Sequence, residues 1–338
     1  MPDSASPDQV QSGISGSIAS AYDRVAVVIP SYRVTRHILG VLAGLPHWIW
    51  RIYVVDDRCP DNSGQLVEAQ CTDPRVVVVF NEMNLGVGGA VMAGYTRAAA
   101  DGAEIIVKMD GDGQMDPSLL PRFIEPIASG DADYTKGNRF YDLTQIGQMP
   151  RIRIFGNAGL SFMTKISSGY WDIFDPTNGY TAIHARVVSK LPMDKISRRY
   201  FFETDILFRL NTLRAVVVDV PMDAKYGDEE SGLEIGRVIF DFLSKHLRNT
   251  GKRIFYNYFL RDVSLATIEL VGGVALVLGG LVAGAWFWVE ASSMGVPASA
   301  GRVMLSALPV ILGLQLLLGF LAFDIASVPR RAIHRLLR

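Results

Sequence analysis

The sequence predicts an α/β domain on a mostly parallel sheet, followed by an amphipathic juxtamembrane helix and two transmembrane helices. Three observations carry this. Between Val25 and Val220, short β-branched runs alternate with helical patterns, which favours strand–helix–strand units and a parallel sheet. One run, Glu104 to Met109, empties into the acidic, glycine-rich turn Asp110-Gly111-Asp112-Gly113-Gln114, and ligands of open α/β sheets bind at strand carboxyl ends. Near the C-terminus, Leu270–Val289 and Val303–Phe323 carry no charge over 20 and 21 residues, and each can span roughly 30 Å of hydrocarbon as a helix.

Composition narrows the class. With 338 residues, 49% hydrophobic and 20% charged, the chain holds one large domain and something more. A net charge of −1 lacks the basic surface that a nucleic-acid partner requires. Mean hydropathy of +0.22 points to a membrane. Cys59 and Cys71 fall in no metal-ligand spacing, so reduced thiols in a cytosolic compartment are expected.

In order, residues 1–22 are rich in Ser, Asp, Gln, Gly and Pro and read as a disordered tail, not a signal peptide. Val25–Pro30 is the first strand, Ile38–Leu45 a helix, Ile52–Val55 a strand ending in Asp56-Asp57, and Arg75–Phe80 a third strand. Asn84-Leu85-Gly86-Val87-Gly88-Gly89-Ala90 opens a helix to about Ala100. A dinucleotide fingerprint counted from Gly86 fails at its sixth position, Val91, so the glycines are expected to let the helix start lie close to the sheet.

After the acidic turn come a helix from Pro117 to about Ala128 and a short strand, Asp133–Arg139, ending in cations. Phe140–Pro150 reads as a loop, and a helix begins at Arg151-Ile152-Arg153. The turn Asp175-Pro176-Thr177-Asn178-Gly179-Tyr180 leads into a strand, Thr181–His184. A helix from Phe201 to about Leu213 and a last strand, Ala215–Val220, complete the domain.

Ile235, Val238, Ile239, Phe242, Leu243, His246 and Leu247 recur at helical spacing among Arg237, Lys245 and Arg248. This basic amphipathic helix is expected on lipid headgroups, with packing against the domain as the alternative. Arg248, Lys252, Arg253 and Arg261 flank the first apolar stretch, and Arg330, Arg331, Arg335 and Arg338 follow the second. The linker Glu290–Arg302 has one acid and one base, so the positive-inside rule places the domain and the C-terminus in the cytoplasm. Trp286 and Trp288 suit the far interfacial belt, and Tyr256 and Tyr258 the near one. Gly280 and Gly284 allow close helix approach, and snorkelling accounts for Glu269 and Asp324.

The chemistry concentrates at Asp110 and Asp112, which share one face of an extended backbone. With the Gln114 amide they make an oxygen-rich nest suited to Mg²⁺ or Mn²⁺ bridging a phosphate, although the same residues also suit an ordinary turn. An EF-hand is excluded, because Met115 and Pro121 stand where glycine and glutamate are required.

Several stretches, in this order and spacing, resemble family 2 glycosyltransferases of the GT-A fold, of the dolichyl-phosphate mannose/glucose synthase type that acts on polyprenyl phosphates. They are Ile29–Tyr32, Val54–Asp57, Asn84–Gly86, Asp110-x-Asp112-x-Gln114, Gly137–Arg139, Asp175–Tyr180 and Phe202–Asp205, within about Val25–Leu233. The resemblance implies that Asp57, with Asp56 and Pro30, contacts the nucleoside, and that Asp110, Asp112 and Gln114 hold the metal on the diphosphate. It implies that Arg139 and a cation of the Arg151/Arg153 pair grip phosphate, and that Glu203 or Asp205 lines the sugar pocket. Tyr32, Asn84 and Asn178 stand in the matching stretches, and Lys136, just ahead of Gly137–Arg139 and beside the strand that carries the acidic nest, completes the substrate-binding set, with a solvated charged turn as the alternative for Lys136 and Arg139. Arg33-Val34 stands where the family usually has Asn-Glu, which leaves the base, uracil or guanine, open.

The implied organisation is a catalytic domain over 23–233, an amphipathic segment over 234–262, a transmembrane hairpin over 263–325 and a basic cytoplasmic tail over 326–338. The implied activity is inverting transfer of a hexose from a UDP- or GDP-sugar to a polyprenyl phosphate at the inner membrane, with homo-oligomers possible through the transmembrane helices. Such an acceptor is mostly ionised at neutral pH, its second pKa being about 6, so the site must supply charge neutralisation more than a strong base. Two alternatives remain. One is a hydroxyl acceptor in a glycolipid or polysaccharide, although the chain lacks the Gln-x-x-Arg-Trp of processive synthases. The other is a non-catalytic membrane-anchored partner subunit, expected to have lost the Asp-x-Asp pair.

Overall fold

The computed structural model describes residues 24–141, 151–223 and 235–337, without the side chains of 151–155 and 235–239. The N-terminal tail, most of the Phe140–Pro150 loop and the domain end expected at 233 lie outside the described residues, as do the side chains of Arg151 and Arg153.

Among the described residues, seven strands form one sheet: β1 (Val25–Ser31), β2 (Arg51–Asp56), β3 (Val76–Phe80), β4 (Ile105–Lys108), β5 (Tyr134–Asn138), β6 (Thr181–His184) and β7 (Val217–Pro221), in the order β3-β2-β1-β4-β6-β5-β7. The pairings are parallel except that β6 runs antiparallel to both β4 and β5. The helices between are α1 (Ile38–Ala43), α2 (Ser63–Gln70), α3 (Val87–Ala100), α4 (Leu120–Ala128), α5 (Arg151–Ser168), α6 (Ala185–Val188) and α7 (Phe202–Leu213). This is the GT-A, Rossmann-like arrangement.

Alternation along β1 divides the layers. Val25, Val27 and Ile29 pack with Ile38 and Leu42 of α1 and with Phe123, Ile124 and Ile127 of α4. Val28 points to the other face, where α3 comes so close that a Cβ on Gly94 would stand 3.0 Å from Val55 and nearer still to Val28. The glycines at the start of α3 serve a different contact from the one expected. A Cβ on Gly88 would meet Ser197 O and Phe202 Cβ at 2.6 Å, and one on Gly86 would meet Arg198 O at 2.7 Å. They make room for the loop ahead of α7, which is tied down by Gly89 N donating to Arg198 O at 3.0 Å.

Helix α8 (Ile235–Phe255) packs one face on the domain. Phe242 and His246 lie edge-on to Phe201, His246 Nδ1 meets Ser167 Oγ at 2.8 Å, and Asn249 Nδ2 donates to Asp205 at 2.9 Å. Its other face leaves Phe240, Leu243 and Leu247 exposed, so the helix packs on the domain with one side and presents an apolar stripe with the other.

The chain separates into two compact units. The first runs through Asn249 and also contains 329–338; the second is 250–328. In the first, the C-terminal residues are built into the domain. Asp133, fully buried, accepts from Val216 N (2.8 Å), Ile333 N (2.9 Å) and His334 N (2.8 Å), and meets the His334 ring at 2.8 Å. His334 stacks on His184 at 4.3 Å, and Ala332 lies in the main core.

The second unit contains α9 (Leu265–Met294) and α10 (Ala300–Ala326), with mean hydropathies of 2.1 and 2.2. Among the described residues these are the helices long and apolar enough to cross a membrane. Gly280 sits where a Cβ would come within 2.7 Å of Ser306 O, and Gly313 within 2.8 Å of Gly273 O, so the helices approach closely at small residues; Gly284 has more room, 3.3 Å to Ser306 Cβ. Asp324 does not snorkel. It is buried, and its carboxylate takes a forked pair from Arg253 (2.6 and 3.0 Å) and the Tyr258 hydroxyl (2.6 Å). Tyr258, expected in an interfacial belt, therefore points inward and packs on Phe320. An unpaired buried carboxylate is too costly to leave, and Asp324 of α10 is partnered by Arg253, near the end of α8, and by Tyr258 on the π-helical turn Tyr256–Arg261 that follows.

Candidate active site

The strand order reverses direction about β1, with β2 on one side and β4 on the other, and the cleft lies at the carboxyl ends of β1 and β4. It has a volume of about 440 Å³ and is lined by Pro30 and Ser31 at the end of β1, Tyr32 and Val34 after it, Asp57 after β2, Asn84, Gly86, Val87 and Ala90 around the start of α3, Asp110 to Asp112 after β4, and Arg199 and Tyr200 ahead of α7.

The two acids after β2 part company. Asp57 borders the cleft, and its carboxylate takes Leu85 N (2.8 Å), Gly86 N (2.7 Å) and Asn81 Nδ2 (2.9 Å), while its carbonyl takes Asn84 Nδ2 (3.1 Å). It both faces the cleft and builds its wall. Asp56 turns inward to accept from Cys59 N (2.8 Å) and Gly64 N (2.7 Å), which fixes the start of α2. It does not line the cleft, contrary to the nucleoside contact expected of it, because successive residues of an extended chain face opposite ways. Tyr32 is 43% exposed at the rim, with the Arg33 guanidinium 5.5 Å from its ring.

Asp110 and Asp112 reach the same cleft. Asp110 Oδ1 is 2.7 Å from the Nζ of Lys108, and Asp112 Oδ1 accepts from Gln114 N at 2.9 Å. Gln114 thus acts through its backbone, and its side chain is not among the groups lining the cleft. Among the described residues no three His, Cys, Asp or Glu side chains converge as a ready metal cage. Two carboxylates on an open cleft nonetheless fit Mg²⁺ or Mn²⁺, hard ions that leave coordination positions for phosphate oxygens and water.

Beside the cleft lies a buried polar group. Lys136 is fully buried and its Nζ donates to Asn178 O; burial lowers its ammonium to about 8, against the pull of Glu203 and Asp175. Burial pushes the Glu203 carboxyl above the usual carboxylate range, while the ammonium groups of Lys108 and Lys136 draw it back. Asn178 caps its own turn by accepting from Tyr180 N at 2.9 Å. Arg139 forks onto buried Asp175, with Nε to Oδ2 at 2.7 Å and Nη2 to Oδ1 at 3.1 Å. Asp205 is placed as a strut: its oxygens accept from Ser197 N (2.8 Å) and Asn249 Nδ2 (2.9 Å), which holds the 197–200 loop over the cleft. Arg199 and Tyr200, on that loop, were not singled out from the sequence, where the only signal is an arginine pair just ahead of Phe202-Glu203-Thr204-Asp205.

Residues 26–191 match the family model described as glycosyl transferase family 2, and the chain belongs to that family. It is a glycosyltransferase. Among curated relatives, it is 30% identical over 203 residues to an undecaprenyl-phosphate mannosyltransferase of Micrococcus luteus, covering 59% of this chain and 82% of that one. It is 27% identical over 216 residues to a UDP-N-acetylglucosamine–dolichyl-phosphate N-acetylglucosaminyltransferase of Methanococcus voltae, covering 60% and 86%. A solved glucosyl-3-phosphoglycerate synthase from Mycobacterium tuberculosis, in complex with Mn²⁺, UDP and glucosyl-3-phosphoglycerate, shares the fold. Its TM-score is 0.54 at 17% identity, over 74% of this chain and 87% of that one.

Proposed function

We propose that this protein transfers a hexose, with inversion, from a nucleoside-diphosphate sugar to a polyprenyl phosphate in the membrane. The observation that carries the reading is a cleft holding Asp57, Asp110 and Asp112 in a chain that also carries two long apolar helices. Relatives named for undecaprenyl- and dolichyl-phosphate acceptors support the lipid, and a structural neighbour bound to UDP and Mn²⁺ supports the donor and the ion.

In this reading Pro30, Tyr32, Asp57 and Asn84 border the nucleoside, and Asp110 and Asp112 hold Mg²⁺ or Mn²⁺ on the diphosphate. The ion supplies Lewis-acid neutralisation of the leaving diphosphate. Arg199 adds a fixed positive charge at the same wall. Arg139, oriented by Asp175, and one of Arg151 or Arg153 meet the acceptor phosphate, where forked contacts offset repulsion between the two phosphate groups. Glu203, between Lys108 and Lys136, borders the sugar. Asp205 already accepts two hydrogen bonds, which disfavours it as a free base for a hydroxyl acceptor.

The helices cross the inner membrane as a hairpin with the catalytic unit in the cytoplasm. The packing of 329–338 within the catalytic unit supports an even number of crossings, since two return the chain to the side it left. Membranes containing the protein, given undecaprenyl phosphate and a panel of labelled UDP- and GDP-sugars, are expected to form one lipid-linked sugar. No transfer from any donor would sink the reading.

A further inference from the structure

Lys108 ends β4, beneath the cleft, and the reading above gives it no task. Its side chain is 1% exposed and its Nζ lies 2.7 Å from Asp110 Oδ1, whereas the Asp110 side chain is 32% exposed. Strand pairing sets Lys108 opposite Thr181 on β6, and Thr181 opposite Lys136 on β5. Directly opposed residues share a face, so the two lysines stand in one row across the sheet. Glu203 lies close enough to this row for both ammonium groups to stabilise its carboxylate. Gly179 leaves the row its space: a Cβ there would stand 2.8 Å from Asp110 Oδ2 and nearer still to Lys108 Nζ.

A buried ammonium is costly unless carboxylates pair with it, and Lys108 meets this need by its contact with Asp110, with the Glu203 carboxylate nearby. One charge of the Asp110/Asp112 pair is therefore neutralised from below, and a divalent cation entering from above is repelled by a fixed charge in a medium of reduced dielectric. A nucleoside diphosphate carries enough negative charge to reverse that balance.

We propose that Lys108 is a fixed counter-ion of the cleft, which holds Asp110 in place when the cleft is empty and weakens binding of a free divalent cation. The ion consequently enters together with the nucleoside diphosphate and is not resident between turnovers. This rests on the reading of Asp110 and Asp112 as metal ligands. Lys108 is a positioning residue, and its effect is on metal affinity.

The test is titration of the detergent-solubilised full chain with Mn²⁺, followed by the electron paramagnetic resonance signal of the free ion, with and without UDP or GDP. In wild type, one of the nucleotides is expected to tighten Mn²⁺ binding by at least about tenfold. Lys108→Met and Lys108→Gln are expected to tighten binding of Mn²⁺ alone by about tenfold, roughly 1.4 kcal/mol, and to shrink the nucleotide's effect. Lys108→Arg, which keeps the charge, is expected to resemble wild type. Unchanged or weaker binding of Mn²⁺ alone in both neutral variants overturns the proposal. So does a wild type that binds Mn²⁺ equally well without nucleotide, which decides the matter even if neither variant folds. Failure of Mn²⁺ to bind any of these proteins, with either nucleotide present, instead removes the metal reading of Asp110 and Asp112.

Discussion

Asp112 shows how much one residue is asked to do. It enters the cleft on a turn held by its contact with Gln114 N, and it stands outside the buried core. Asp112→Ala is therefore expected to abolish transfer while leaving the melting temperature within a few degrees of wild type, and excess EDTA is expected to do the same to the unmodified protein. Full activity in EDTA would falsify the metal role. At this scale the sequence was readable where carboxylates follow the end of a buried strand, as for Asp110 and Asp112, although a turn and not an extended chain brings the two to the cleft. It misled at Asp56 and Asp57, grouped as neighbours although alternation turns Asp56 into the start of α2. Arg199 and Tyr200 were not readable at all, because a loop without periodicity is held over the cleft by long-range contacts, Ser197 N to Asp205 and Gly89 N to Arg198 O, that local sequence does not encode.

At the scale of elements, the seven strands were legible because β-branched runs bounded by turn residues have few other uses. The order of the sheet was not, since β6 inserts antiparallel between β4 and β5 by pairings that sequence spacing does not encode. Two buried histidines tie elements together and set a pH dependence. His246 joins α8 to α5, and His184 ends β6, where its Nδ1 accepts from Arg186 N. Burial first, and for His184 also the neighbouring His334 and Arg186, lowers both to about 4. The unfolded chain titrates near 6.5, so between about 6.5 and 4 it binds protons that the folded chain does not, and stability falls as pH falls through that window. Thermal melting of the solubilised protein from pH 7 to 4 is expected to show this decline, and His246→Gln to flatten part of it. A melting temperature that rises on acidification contradicts the assignment.

The whole molecule was legible in its two classes of segment, a soluble α/β pattern and two uncharged stretches, because hydropathy reports them directly. The fate of the last ten residues was not. A basic composition reads as a tail, yet Ala332 to His334 are part of the catalytic unit, bound to a buried Asp133 that nothing in the local sequence links to them. Ending the chain at Val328 is thus expected to leave Asp133 without its three contacts to Ile333 and His334 and to destabilise the catalytic unit, read by limited proteolysis. The hairpin topology makes a further demand: a cysteine at Ser293 should react with an impermeant thiol reagent added outside intact cells, and one at Arg330 should not. The reverse pattern contradicts the orientation.

The acceptor defines the reaction. The most direct measurement compares transfer to undecaprenyl phosphate and to undecaprenol by the purified full chain, in wild type, Arg139→Ala, Arg139→Lys and Asp205→Asn. A charge-assisted contact to the acceptor phosphate is worth roughly 1.5–3 kcal/mol, so Arg139→Ala should weaken use of the phosphorylated lipid by about ten- to a hundredfold, with nucleotide binding less affected. Arg139→Lys should recover part of that loss, because lysine keeps the charge without the fork. Asp205→Asn should retain transfer, since its part is to hold a loop. The expected result is transfer to the phosphate alone with this order of variants. Equal use of the two lipids, or indifference to Arg139 with complete loss in Asp205→Asn, would contradict the account and favour a hydroxyl acceptor.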